Sequence, residues 1–122
     1  MGAQNTIRLT AAGYRNAASA TVTQETDKTT AVTINAQAGV ITMNGASMTA
    51  GTELVFTVNN TSVGATDSIV LSLASGATTA SDYTIGTGSV SAGSFEIALG
   101  FPGTGDQSDA LVINFAVIGG SF

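Results

Sequence analysis

Thr52-Glu53-Leu54-Val55-Phe56-Thr57-Val58-Asn59-Asn60 alternates with a period of two. Leu54, Phe56 and Val58 fall on one side of an extended chain, and Glu53, Val55, Thr57 and Asn59 on the other. That is the pattern of a β-strand with one face on a core. Ser68 to Ser75 repeats it with Ile69, Leu71 and Leu73, and Ser94 to Leu99 with Phe95, Ile97 and Leu99. Ala110 to Ile118 does so again with Leu111, Ile113, Phe115 and Val117. Shorter runs rich in Thr, Val and Ile cover Ala20 to Gln24, Thr30 to Ala36 and Gly39 to Met43, and a weaker one surrounds Tyr83 and Ile85 between Asp82 and Thr87.

The spacers are of turn type: Asn44-Gly45, Ala50-Gly51, Gly64 to Asp67, Ser75-Gly76, Gly86 to Gly88, Ala92-Gly93 and Gly100 to Gly105. Pro102, the sole proline, falls in the last of these, where no ladder donor is needed. No stretch carries a capped helical period. The fold expected is all-β, an antiparallel β-sandwich or jelly roll of seven or eight strands spanning residues 20–122. Residues 1–19 carry Ile7, Leu9 and Tyr14 as their large apolar side chains and form either an extended arm or an extra edge strand.

A chain of 122 residues makes one domain that buries roughly two-thirds of its unfolded surface. Its 43 % apolar content and its low share of charged residues, 9 %, both argue against disorder. The basic residues Arg8, Arg15 and Lys28 all lie in the first 28 positions, and Glu53, Asp67, Asp82, Glu96, Asp106 and Asp109 make the remainder acidic. A body without cations cannot neutralise phosphates, so nucleic acid is not expected as a partner. Neither is a membrane, since no apolar run is long enough to span one and the N-terminus lacks the apolar centre of a secretory signal. Met1-Gly2-Ala3-Gln4-Asn5-Thr6 fits the pattern for N-terminal myristoylation, but no polybasic second signal follows.

The chain has no His and no Cys. Ser/His/Asp and Cys/His nucleophile chemistry is therefore closed to it, as are imidazole and thiolate metal sites. Glu53 and Glu96 remain as a carboxylate pair, yet both alternate with core positions and read as solvated strand residues. Asp106 and Asp109 flank a Gly-rich turn without the ligand spacing of an EF-hand loop. No catalytic residue, cofactor or metal is expected, and the protein is not expected to be an enzyme. Sugar binding would call for exposed aromatic rings. Phe56, Phe95 and Phe115 belong to core faces, which leaves Tyr14, Tyr83, Phe101 and Phe122. Asn59-Asn60-Thr61-Ser62 holds two overlapping glycosylation sequons.

Some strands are apolar on their second side as well: Val55, Val70, Val112 and Ile118 occupy positions pointing away from the core. Either loops and the lead segment cover them, or they meet sister subunits in a homo-oligomer.

Thr30-Thr-Ala-Val-Thr-Ile-Asn35, Gly39-Val-Ile-Thr-Met-Asn44 and Ala50-Gly-Thr-Glu-Leu-Val-Phe-Thr-Val-Asn-Asn60, with Ala65-Thr-Asp-Ser-Ile-Val70, Ala92-Gly-Ser-Phe95 and Ala110-Leu-Val-Ile-Asn-Phe-Ala-Val-Ile118, form a set of strand-and-turn patterns. Together, over residues 20 to 119, this set resembles a group of small β-rich virion structural proteins of tailed bacteriophages. The resemblance implies a component of the virion surface, a capsid decoration or cement protein whose partners are the major capsid protein and its own sister copies. A trimer is the favoured assembly. Ile7, Arg8, Leu9 and Arg15 are then the expected capsid contacts, and Val55, Val70, Val112 and Ile118 the expected subunit interface. A fibre, a tail appendage, a pilin-like filament subunit and a glycan-binding tail module are the other roles such a domain fills.

Overall fold

A computed structural model describes residues 19–103 and 105–119. It has two four-stranded sheets packed face to face, sandwich-like. The strands are β1 (Ser19–Thr23), β2 (Val32–Thr33), β3 (Ala38–Thr42), β4 (Thr52–Asn59), β5 (Ser68–Ser75), β6 (Thr84–Ser91), β7 (Ser94–Phe101) and β8 (Val112–Ile118). One sheet runs in the order β1-β3-β8-β5 and the other β2-β4-β7-β6. A short 3-10 turn at Ala80–Asp82 leads into β6.

Both sheets are mixed, where alternation alone predicted antiparallel pairing. β1 pairs with β3 in parallel, and β2 with β4. The cause is how the chain is laid down. From β1 to β6 each strand lies in the opposite sheet from the one before it. Every crossing reverses direction, so strands two apart point the same way, and the pairs that end up adjacent are parallel. β6 and β7 form a two-residue hairpin within one sheet, closed by Ala92 and Gly93, whose φ of +88° suits glycine.

The alternation of Thr52 to Asn60 is realised directly. β4 sends Phe56 and Val58 inward, β7 sends Phe95, Ile97, Leu99 and Phe101, and β8 sends Ile113, Phe115 and Val117. Phe95 and Phe115 meet across the two sheets with ring centroids 5.6 Å apart and planes tilted by 54°. Burying such side chains supplies roughly 1.5–3 kcal/mol each, the main force that holds the sheets together.

Three local expectations are revised. Thr30 to Ala36 keeps its inward alternation at Val32, Ile34 and Ala36, but the ladder with β4 covers only Val32 and Thr33. Beyond it the buried Asn60 side chain replaces the ladder: its amide donates to the Ala36 carbonyl (2.7 Å) and its oxygen accepts from the Ala36 N–H (3.2 Å). Gly86 to Gly88, expected as a turn, lies inside β6, which pairs with β7 on both sides of an irregularity between Thr87 and Val90. Tyr83 and Phe101 are core residues stacked on each other at 5.1 Å, so neither is available as an exposed sugar platform.

Candidate interaction surfaces

Glu53 and Glu96 share the outer face of the β2-β4-β7-β6 sheet, Glu53 opposite Gly100 and Glu96 opposite Thr57. Their backbones are thus four positions apart along the strands, roughly 13 Å at 3.3 Å per residue. Glu96 accepts from the Ser89 N–H instead (3.1 Å). Asp106 accepts from the Ala50 N–H (3.2 Å), and Asp109 turns to other partners. Among the described residues no group of three acidic side chains is placed to hold a metal ion. Of the two sequon asparagines, Asn60 is buried and also accepts from the Ser62 N–H, so its amide is committed to the fold.

Lys28 is the one basic residue among those described, and it is buried. Its ammonium donates to the backbone oxygens of Asn44 and Asp109, and so joins three loops. Gln24, equally buried, completes the knot: its amide donates to the carbonyls of Lys28 (3.0 Å) and Thr30 (2.9 Å), and its oxygen accepts from the Asn44 N–H (3.0 Å). The Asp109 carboxylate sits beside it and accepts from the Thr78 N–H (3.1 Å), the Thr78 hydroxyl (2.8 Å) and the Tyr83 hydroxyl (2.7 Å). Lys28 therefore belongs to the folded domain, as its position beside the strand region implied. Nothing in its local sequence shows that its charge is spent on backbone carbonyls.

This cluster sets the pH response. Burial alone would raise the Asp109 carboxyl, but the bonds from Thr78 and Tyr83 and the nearby Lys28 charge outweigh it, and the net shift is downward. A carboxyl held below its unfolded value stabilises the fold above that value, and the contribution is lost as pH falls through the folded one. The exposed Asp27, lowered by bonds from Thr29 and Thr30, acts in the same sense. Denaturant midpoints should therefore fall as pH drops below about 4. Asp109→Asn should flatten that acid limb, leaving the part due to Asp27. An acid limb of unchanged slope in Asp109→Asn would refute the assignment. At the alkaline end, burial, then Asp109, pushes the Tyr83 phenol up, which removes stability as pH rises past about 10. Burial pushes the Lys28 ammonium down against the pull of Asp109, which acts in the opposite direction there.

The two outer faces differ in chemistry. On the β1-β3-β8-β5 sheet, Val70, Ala116, Ala38 and Ser19 lie in one row across the strands. The next row is Ser72, Asn114, Val40 and Thr21, and the one beyond is Ser75, Val112, Thr42 and Thr23. Ile118 stands opposite Ser68 at the end. Among the described residues no Asp, Glu, Lys or Arg lies on this face, and Val70 and Ile118 are 55 % and 41 % exposed. The other sheet presents Val55, 43 % exposed, in a row with Ala98 and Gly86, flanked by Glu53 and Glu96.

The four residues expected at one subunit interface are thus divided: Val70, Val112 and Ile118 share a face, and Val55 lies on the opposite side of the molecule. Alternation shows that a residue points away from the core, but not which sheet its strand joins. The expected capsid contacts Ile7, Arg8, Leu9 and Arg15 lie outside the described residues, as do Tyr14, Phe122 and the myristoylation pattern.

A third feature is a cleft of about 350 Å³ between the edges of β1 and β2, lined by Val22, Thr23, Glu25, Thr30, Ala31, Val32 and Thr33. On the opposite side the sheets are drawn together, and the Thr87 hydroxyl of β6 donates to the Ile69 carbonyl of β5 (3.3 Å). Comparison with known proteins found no match to a family model, to a curated protein or to a solved structure.

Proposed function

We propose that the chain is a structural module of a virion surface, a capsid decoration protein that binds the outside of a phage head and stabilises it. The observation that carries the reading is the uncharged outer face of the β1-β3-β8-β5 sheet, with Val70 and Ile118 exposed on a domain that otherwise carries eight carboxylates. Such a patch marks contact with another protein more than it marks chemistry. The resemblance of residues 20–119 to small phage virion proteins supports the same role. Under it the lead segment, through Ile7, Arg8, Leu9 and Arg15, contacts the major capsid protein, and sister copies meet one another.

The test mixes the purified full chain with undecorated heads and follows co-sedimentation and electron-microscopic density. Saturable binding at fixed sites on the head surface is expected, and Arg8→Glu with Arg15→Glu should weaken it at least tenfold, about 1.4 kcal/mol. Heads that take up no protein would sink the reading; unchanged binding of the double variant would sink its lead-segment part.

The cleft between β1 and β2 favours a second reading, a fibre or pilin-like subunit whose lead segment is donated to the neighbour's cleft. That protein forms open filaments without heads, whereas a decoration protein stops at a closed oligomer.

A further inference from the structure

We infer that two copies of this chain pair face to face around a two-fold axis through the outer face of the β1-β3-β8-β5 sheet. This deepens the surface-module reading and rests on it for the role of the pair. The pairing itself is measured without any capsid, so the two ideas fail separately.

Charge selects the face. The described residues carry eight carboxylates and one ammonium, a net charge of −7. That ammonium, on Lys28, is buried against backbone oxygens and has no role on the surface. Any contact that covers a carboxylate therefore buries it with no cation among these residues to compensate, at a cost of several kcal/mol per ion. Pairing the β2-β4-β7-β6 faces would bring the Glu53 and Glu96 of both copies together. Stacking one kind of face on the other would press the same two carboxylates against Val70 and Ile118. Only like-on-like packing of the uncharged faces covers no carboxylate: Glu25 and Asp67 lie beyond its two ends, next to β1 and β5. Such a contact is isologous and closes at two, whereas the unlike stack propagates.

The apolar material is adequate but not large. Val40, Val70, Val112, Ile118, Ala38 and Ala116 supply it, with Ser72 and Asn114 in the middle as hydrogen-bonding groups. Four strands about 4.8 Å apart and five to eight residues long present roughly 400 Å² of flat face, half of what a partner contributes to a standard stable interface. The pair is accordingly a weak one that forms at high local concentration, the condition a densely covered surface provides.

The test is sedimentation of the full chain over micromolar to millimolar concentrations. The mass should rise from 12.0 kDa toward twice that value, and added salt should strengthen the association by screening the acidic rims. Val70→Lys and Ile118→Lys should each weaken pairing about tenfold or more, whereas Val55→Lys should leave it unchanged. All three positions are exposed, and circular dichroism with thermal midpoints is the check that each variant folds. A chain that stays monomeric throughout, as it would if its own lead segment covered the face, overturns the inference. So does a trimer, an open polymer, or a Val55→Lys effect equal to that of Val70→Lys.

Discussion

Replacing Gly76 by alanine is expected to destabilise the domain by about 3 kcal/mol or more, measured as a loss of unfolding free energy in denaturant. Two effects add. Gly76 ends the β5 edge with φ +92°, where an L side chain costs roughly 1–2 kcal/mol. A Cβ built there would lie 2.3 Å from the Ala110 carbonyl oxygen and 3.0 Å from the Leu111 Cα. Both are backbone atoms at the entrance to β8 and cannot swing aside as a flexible side chain would. Gly93 separates the two effects, because its φ is +88° yet nothing lies within 4 Å of the position of a Cβ. Gly93→Ala should therefore cost only the conformational part. Equal losses at the two sites would show that the close approach to Ala110 contributes nothing.

Phe115→Ala should cost about 3–5 kcal/mol, the usual range for removing a fully enclosed aromatic ring. Phe115 is 3 % exposed, sits on a central strand and faces Phe95 of the other sheet, so the void it leaves spans the gap between the sheets. Its ring also explains a small residue at position 39. A Cβ on Gly39 would fall 2.9 Å from Phe115 Cε1, 2.8 Å from Ile34 Cδ1 and 2.8 Å from the Ala20 carbonyl oxygen. Gly39→Ala should cost about 1–3 kcal/mol as overpacking. In the Phe115→Ala background the cost should shrink without vanishing, because the Ala20 backbone stays in place. Strictly additive losses in that double-mutant cycle would refute the shared packing.

The inward faces of β4, β5, β7 and β8 were legible because each strand is half-buried and its alternation is set by which side meets the core. Ser68–Ser75 even matches its expected bounds. What the local pattern does not carry is which strand lies next to which. The parallel pairs β1–β3 and β2–β4 follow from the chain crossing between sheets, a property of loops such as residues 24–31 that reveals nothing in a two-residue period. The same gap hid the separation of Val55 from Val70. The Lys28 knot was hidden for another reason: its partners Asn44 and Asp109 lie 16 and 81 positions away and offer backbone oxygens, which are the same for every residue type.

The place of β8 has a consequence for how the molecule is made. It is the last of the eight described strands in chain order, yet it lies in the interior of its sheet, between β3 and β5. Until it arrives, β3 and β5 have no ladder partner between them, and the inner side of Phe95 has no Phe115 to meet. The β4-β7-β6 portion of the other sheet, with its local hairpin, can form earlier. While β8 is missing, β3 is paired only with β1 and β5 has no partner in its sheet, so edges rich in Val, Ile and Leu stand open. Non-local pairings of this kind are slow to close and prone to intermolecular strand exchange while they wait. Insertion of β8 between β3 and β5 is thus the pairing that closes both open edges at once.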